Sequence, residues 1–155
     1  MLKVIPKAWS YTFALMDGTQ PIAQAVDLSW WRDSGELRIQ GAVYRAHRDR
    51  ASYVLESGNA VVARAERPRR LCREFVIEDS GRRYLLRAKS AIRRHFLLFE
   101  GSTQVGSICP EGIFTRSAAV ELPQEIPLFL RVFMVWLVMT LWKHEDHLAT
   151  AGASG

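Results

Sequence analysis

From Lys3 to Glu121 apolar and polar residues alternate in short runs, and after that the alternation stops. In Arg82 to Lys89, for example, Tyr84, Leu86 and Ala88 fall on one side of an extended chain while Arg83, Arg87 and Lys89 fall on the other. That is the period-two pattern of a half-buried strand. The same reading predicts about eleven strands, at 11–16, 21–27, 36–40, 42–47, 52–57, 60–66, 73–78, 82–89, 95–100, 103–109 and 116–121, with a twelfth at 3–9. The stretch Pro127 to Lys143, PLFLRVFMVWLVMTLWK, is instead apolar around its whole circumference and is interrupted only by Arg131 and Thr140. It predicts a central helix over about 123–143, and a helix that is hydrophobic all round must be enclosed.

The turns carry a repeat. Gly18, Gly58 and Gly101 punctuate three strand pairs at spacings of 40 and 43, and Gly41 and Gly81 punctuate two others, again 40 apart. Two interleaved series with one period indicate an internal repeat of paired hairpins. A four-stranded unit of that length suits a propeller blade, but three units are too few to close a propeller. A sandwich would leave the helix nowhere to bury every side. A closed barrel of roughly twelve strands has an axial hole that eight strands would already have filled with side chains, and a helix about 10 Å across fits it. The expected fold is therefore mainly β: a closed barrel of repeated hairpins around a C-terminal hydrophobic helix, with Phe129, Phe133, Met134, Trp136, Leu137, Met139 and Leu141 meeting strand residues in the core. Residues 1–147 form the single domain, and 148–155 a flexible tail. The competing enclosure is lipid, with the helix as a membrane anchor. Its charge-free run, Val132 to Trp142, is short for a bilayer.

Charge is concentrated in the middle of the chain. Residues 64–94 hold eleven Lys or Arg against four acids, whereas 95–155 hold three against six. Cys72 and Cys109 are isolated and form no CxxC spacing, and the amino terminus has no continuous apolar core of a secretion signal. These features predict a cytoplasmic protein, free or peripheral to the membrane.

The hairpin patterns YTFALMDGTQPIAQA and SYVLESGNAVVARAE, followed by LPQEIPLFLRVFMVWLVMTLW, resemble the tubby C-terminal-like superfamily, which includes tubby domains, phospholipid scramblases and LURP-one-related proteins. The resemblance covers about Tyr11 to Lys143. It implies a twelve-stranded barrel with a buried helix and, from tubby domains, binding of anionic phospholipid through basic residues. The proline-rich extension, cysteine cluster and acidic run of scramblases are missing from this sequence, and no ligand motif carries over.

The candidate binding residues are Arg64, Arg67, Arg69, Arg70, Arg73, Arg82, Arg83, Arg93 and Arg94. Arginine's rigid fork of donors suits phosphate oxygens, so turns that bring ERPRR near SAIRR would create an anion surface. The plainer reading of such a run is a solvated hairpin face. Nucleic acid is disfavoured, because exposed aromatics do not interleave the arginines. His144 and His147 in HEDH, expected just beyond the helix, supply two imidazoles, which is too few for a metal site. His47 and His95 read as strand-face residues, and Cys72 among Arg69, Arg70 and Arg73 reads as packing with a reactive thiol as the alternative. Of the adjacent Trp30 and Trp31, one is expected in the core and the other exposed. GxSxG, GxGxxG and P-loop motifs are absent from the sequence, so no enzyme class, cofactor or metal is expected. The expectation is a non-enzymatic module that binds an anionic membrane surface. A protein-interaction scaffold and a helix-anchored membrane protein are the alternatives.

Overall fold

The computed structural model describes residues 1–6, 12–29, 33–68, 73–90, 94–112 and 117–153. Twelve strands, β1 (Leu2–Pro6), β2 (Phe13–Asp17), β3 (Gln20–Ser29), β4 (Ser34–Ile39), β5 (Ala42–Asp49), β6 (Ser52–Ser57), β7 (Ala60–Glu66), β8 (Glu74–Asp79), β9 (Arg82–Ala88), β10 (Phe96–Glu100), β11 (Thr103–Pro110) and β12 (Ala118–Glu121), precede one helix, α1 (Leu128–Ala153). Each strand pairs antiparallel with its sequence neighbours, and β12 closes on β1, with Leu2 opposite Val120. The expected barrel is therefore the observed one.

The two ends of the barrel differ. At one, the turn end, five two-residue loops join β2–β3, β4–β5, β6–β7, β8–β9 and β10–β11. The other, the loop end, carries a sixth two-residue loop, Arg50–Ala51 between β5 and β6, and the longer connections. The predicted glycine series have structural counterparts. Gly18, Gly58 and Gly101 share φ near 61° (61°, 61° and 62°), and each hairpin shows a register shift at the same place, between Leu15 and Met16, Leu55 and Glu56, and Leu98 and Phe99. Gly41 and Gly81 have φ of 81° and 82° and follow Gln40 and Ser80 at 50° and 49°, so both central residues are left-handed, as a type I′ turn demands.

Register completes the repeat. Ala25 faces Leu37, Ala65 faces Ile77, and Ile108 faces Val120; on the far side of those partners stand Tyr44, Tyr84 and Leu2. Strand β1 thus takes in the third repeat the place that β5 and β9 take in the first two. The third repeat has no hairpin tip after its third strand; Pro123 and Gln124 instead lead into the helix.

The helix begins at Leu128, later than the expected 123. Ile126 N–H donates to Pro123 C=O in a turn, and Pro127 C=O accepts from the N–H groups of Leu130 and Arg131, which starts the helical ladder. It enters at the turn end and, rather than stopping near 143, continues through HEDH to Ala153, across residues expected in the tail. Every side chain from Val132 to Lys143 is buried, so the enclosure is β-strand, not lipid. Trp136 packs edge-on to Tyr53 and stacks on Phe133, while Phe129, expected in the core, is part-buried and stacked on Tyr44 with ring centroids 5.6 Å apart. Gly35 is required by this packing: a Cβ there would lie 2.7 Å from Trp136 Nε1.

Among the described residues no helix is long and apolar enough to cross a membrane. On the strands, the buried apolar side chains point inward, while the outer wall carries Glu36, Arg38, Arg45, Arg64, Glu78, Arg83 and Arg87 interspersed with apolar residues such as Ile5, Val43 and Leu85. Charges spread along that wall do not make the continuous apolar outer band of a membrane-crossing barrel.

Candidate functional site

The arginines singled out from the sequence divide by their place in the barrel. Arg64, on β7, and Arg83, on β9, flank Glu78 of β8 in one cross-strand row on the outer wall, and Arg82 opens β9 beside it. All three are exposed. With Glu78 and Asp79 they border a shallow groove of about 460 Å³ at the turn end, where β7 extends beyond the β8–β9 hairpin. Arg83 Nε reaches Glu78 at only 3.9 Å, and Asp79 is held by the Ser80 hydroxyl. Among the described residues Arg64 and Arg82 have no hydrogen-bond or ion-pair partner, and both side chains are exposed.

Arg67, Arg73 and Arg94 lie at the loop end and are occupied. Arg67 sits over the Phe75 ring and hydrogen-bonds the Tyr53 side chain. Arg73 donates from Nε to Glu145 at 2.9 Å and from Nη1 to Ser90 C=O at 2.9 Å, and lies over Phe96. Arg94 pairs with Asp146 and, at 3.8 Å, with Glu145. Arg73 and Arg94 meet at one end of the barrel, and there the anion is the protein's own helix. Arg69, Arg70 and Arg93 lie outside the described residues, as do Cys72, Trp30 and Trp31.

HEDH is consequently part of a polar latch. Asp33, from the connection between β3 and β4, has a side chain only 3% exposed, and it accepts from His144 Nε2 at 2.7 Å with Lys143 Nζ at 3.3 Å. Burial alone would raise its pKa, but the hydrogen bonds and positive charges of His144 and Lys143 outweigh that and hold the carboxyl below its ordinary 3.8. The neighbouring Tyr53 hydroxyl is pushed above 10.0, first by burial and then by the Asp33 charge. His144, read from the sequence as one half of a histidine pair, is thus engaged by Asp33, and among the described residues no three His, Cys, Asp or Glu side chains gather as a metal site. His47, on β5, bonds Glu56 at 3.0 Å across to β6. His95 precedes β10 rather than lying within a strand. Cys109 is a free, part-buried thiol on β11.

One residue not assigned a role from the sequence stands at the turn end. Arg131, in the first turn of α1, projects into a cleft of about 900 Å³ between β1, β11, β12 and the helix entry. The signal was present in the sequence, since Arg131 is the lone charge between Pro127 and Trp142. Its meaning depended on knowing which end of the barrel the helix enters.

The chain matches no protein-family model, no curated protein and no solved structure.

Proposed function

We propose that this chain is a non-catalytic binding barrel of the tubby C-terminal-like kind, which docks on anionic phospholipid at the cytoplasmic face of a membrane through the exposed arginines of β7 and β9. The observation that carries the reading is the cluster Arg64, Arg82 and Arg83: exposed, carried on a rigid wall, and with two of the three lacking a protein partner among the described residues. Each basic residue held close to an acidic membrane contributes about 1 kcal/mol, an attraction that salt screens. Arg73 and Arg94 drop out of this binding set because their charge is spent on Glu145 and Asp146. An anchoring role for α1 is disfavoured, since the helix would have to leave the barrel and empty its core.

Co-sedimentation with vesicles tests this. The protein should pellet with vesicles containing phosphatidylserine, stay in solution with neutral phosphatidylcholine vesicles, and be released as salt is raised. The triple variant R64E/R82E/R83E should lose the binding with its melting temperature nearly unchanged, because solvated charges contribute little to folding. Equal sedimentation with both vesicle types, or with neither at low salt, would overturn the reading and leave a protein-interaction scaffold in its place.

A further inference from the structure

The cleft at the turn end arises from a break in the threefold repeat. In the first repeat the position after the third strand is filled by the hairpin tip Gln40–Gly41, and in the second by Ser80–Gly81. In the third, the chain turns at Pro123 and descends into the barrel as α1, so no tip closes the space above β11. The grooves at the corresponding places measure about 620 and 460 Å³ in the first two repeats and about 900 Å³ in the third. Leu2, Ile22, Val105, Leu122 and Leu128, each part-buried, supply apolar lining to the larger one.

Into this cleft the helix sends its one early charge. Arg131 is part-buried; its Nε–H donates to Ile126 C=O at 2.9 Å, which fixes the guanidinium plane. Among the described residues its two terminal amino groups have no acceptor and it has no ion pair. Asp17 and Glu121 border the same cleft, yet neither makes a salt bridge to it. Burial alone draws the guanidinium pKa below its ordinary value. A partly desolvated charge without a counter-ion is unfavourable, and an apolar side chain would cost less at this place in the apolar first half of the helix. The first turn of α1 adds the positive end of the helix dipole beside the guanidinium. A fixed fork of unused donors, a positive dipole and an apolar bed together match one ligand chemistry.

We propose that this cleft binds a small amphiphile with a single carboxylate or phosphate head, whose head forms a paired hydrogen bond to the terminal amino groups of Arg131 and whose apolar body lies along Leu122, Leu128 and Val105. The site is on a different face from the exposed arginines of β7 and β9 and stands independently of them.

The test uses the full chain, with octanoate and octyl phosphate as probes and octanol as the neutral control, read by calorimetry and by backbone amide NMR. At least one of the acidic probes should bind one-to-one and shift the amides of Gly106, Ser107 and Leu122, while octanol should not. Arg131→Gln should weaken the binding about tenfold or more, as loss of a charge-assisted pair does. Because Arg131 also bonds Ile126, a second variant, Gln104→Glu, places a negative charge at the exposed cleft rim with that bond intact, and should weaken the acids as well. Soluble short-chain phosphatidic acid, which carries a phosphate and no carboxylate, is offered to the R64E/R82E/R83E background and separates the two sources of the head group. Shifts of the same amides by this lipid or octyl phosphate but not octanoate assign a phosphate head, and the opposite result assigns a free carboxylic acid. Absence of binding by every acidic probe at millimolar concentration, equal binding of octanol, or unchanged affinity in both R131Q and Q104E would overturn the proposal.

Discussion

Asp33 and His144 lie 111 residues apart in the chain and are joined at the loop end by a 2.7 Å hydrogen bond. The same carboxylate lies 3.3 Å from Lys143 Nζ, whose side chain is only 4% exposed. One carboxylate therefore serves both Lys143 and His144 as α1 emerges from the barrel. Removing it leaves Lys143 buried without that charge partner, so Asp33→Ala should destabilise the fold by about 3 to 5 kcal/mol. Denaturant melts of D33A and wild type measure this directly; a loss below about 1 kcal/mol would mean that water replaces Asp33 at Lys143.

The same pair sets an acid limit. The pKa of Asp33 is lower in the folded chain than its ordinary 3.8, so the unfolded chain binds the proton more readily. The stabilisation from its ionised form is complete above about pH 4 to 5 and disappears as pH falls through the depressed folded value. Tyr53, shifted upward, acts at the other extreme: its ionisation in the unfolded chain lowers stability above pH 10.0. Thermal melts across pH should show an acid-side fall that is shallower in Asp33→Asn, and an alkaline fall that is shallower in Tyr53→Phe.

Gly35 and Trp136 should behave as a coupled pair. A methyl at residue 35 would meet the indole nitrogen at 2.7 Å, so Gly35→Ala should cost about 1 to 3 kcal/mol by overpacking. Trp136→Ala alone should cost about 3 to 5 kcal/mol as an emptied aromatic site. In the double variant the clash is gone, and the loss should fall short of the sum by at least about 0.5 kcal/mol. Strict additivity in the cycle would show that Gly35 is not selected by the tryptophan.

Two turns can be improved. Gln40 and Ser80 are held at φ of 50° and 49°, a conformation that most side chains adopt only at a cost and that asparagine tolerates well. Gln40→Asn and Ser80→Asn should each raise stability by about 0.5 kcal/mol, and together nearly additively, since the two hairpins belong to different repeats. Equilibrium unfolding of the single and double variants checks both the sign and the sum.

The rim ion pairs should govern the end of the helix rather than the fold. Arg73 and Arg94 contact Glu145 and Asp146 with side chains that are partly exposed, for which about 0.2 to 1 kcal/mol per pair is usual. The double variant R73A/R94A should therefore keep a near-normal melting temperature while amide hydrogen exchange rises beyond Lys143, and high salt should produce the same pattern in the wild type. Protection unchanged beyond Lys143 would show that these pairs do not hold the helix end.

The strands, the five glycine-bearing turns and the need to enclose an apolar helix were determined by the sequence alone, because each is a local property. Alternation decides which face of a strand is buried, a glycine with positive φ decides where a hairpin reverses, and an all-round apolar stretch cannot remain in water. Closure followed too, since only a barrel of this size has an axial hole to receive the helix. The tertiary structure alone decided that β1 completes the third repeat, that α1 enters at the turn end, and that HEDH continues the helix instead of following it. It also divided the arginines, with Arg64 and Arg82 facing solvent and Arg73 and Arg94 turned onto Glu145 and Asp146. The function of a charge is set by what stands opposite it across a distance of many residues, and neither alternation nor turn chemistry encodes that. Arg131 is the clearest instance: in the sequence it is an interruption in an apolar helix, and only the unclosed third repeat gives its guanidinium a cleft to face.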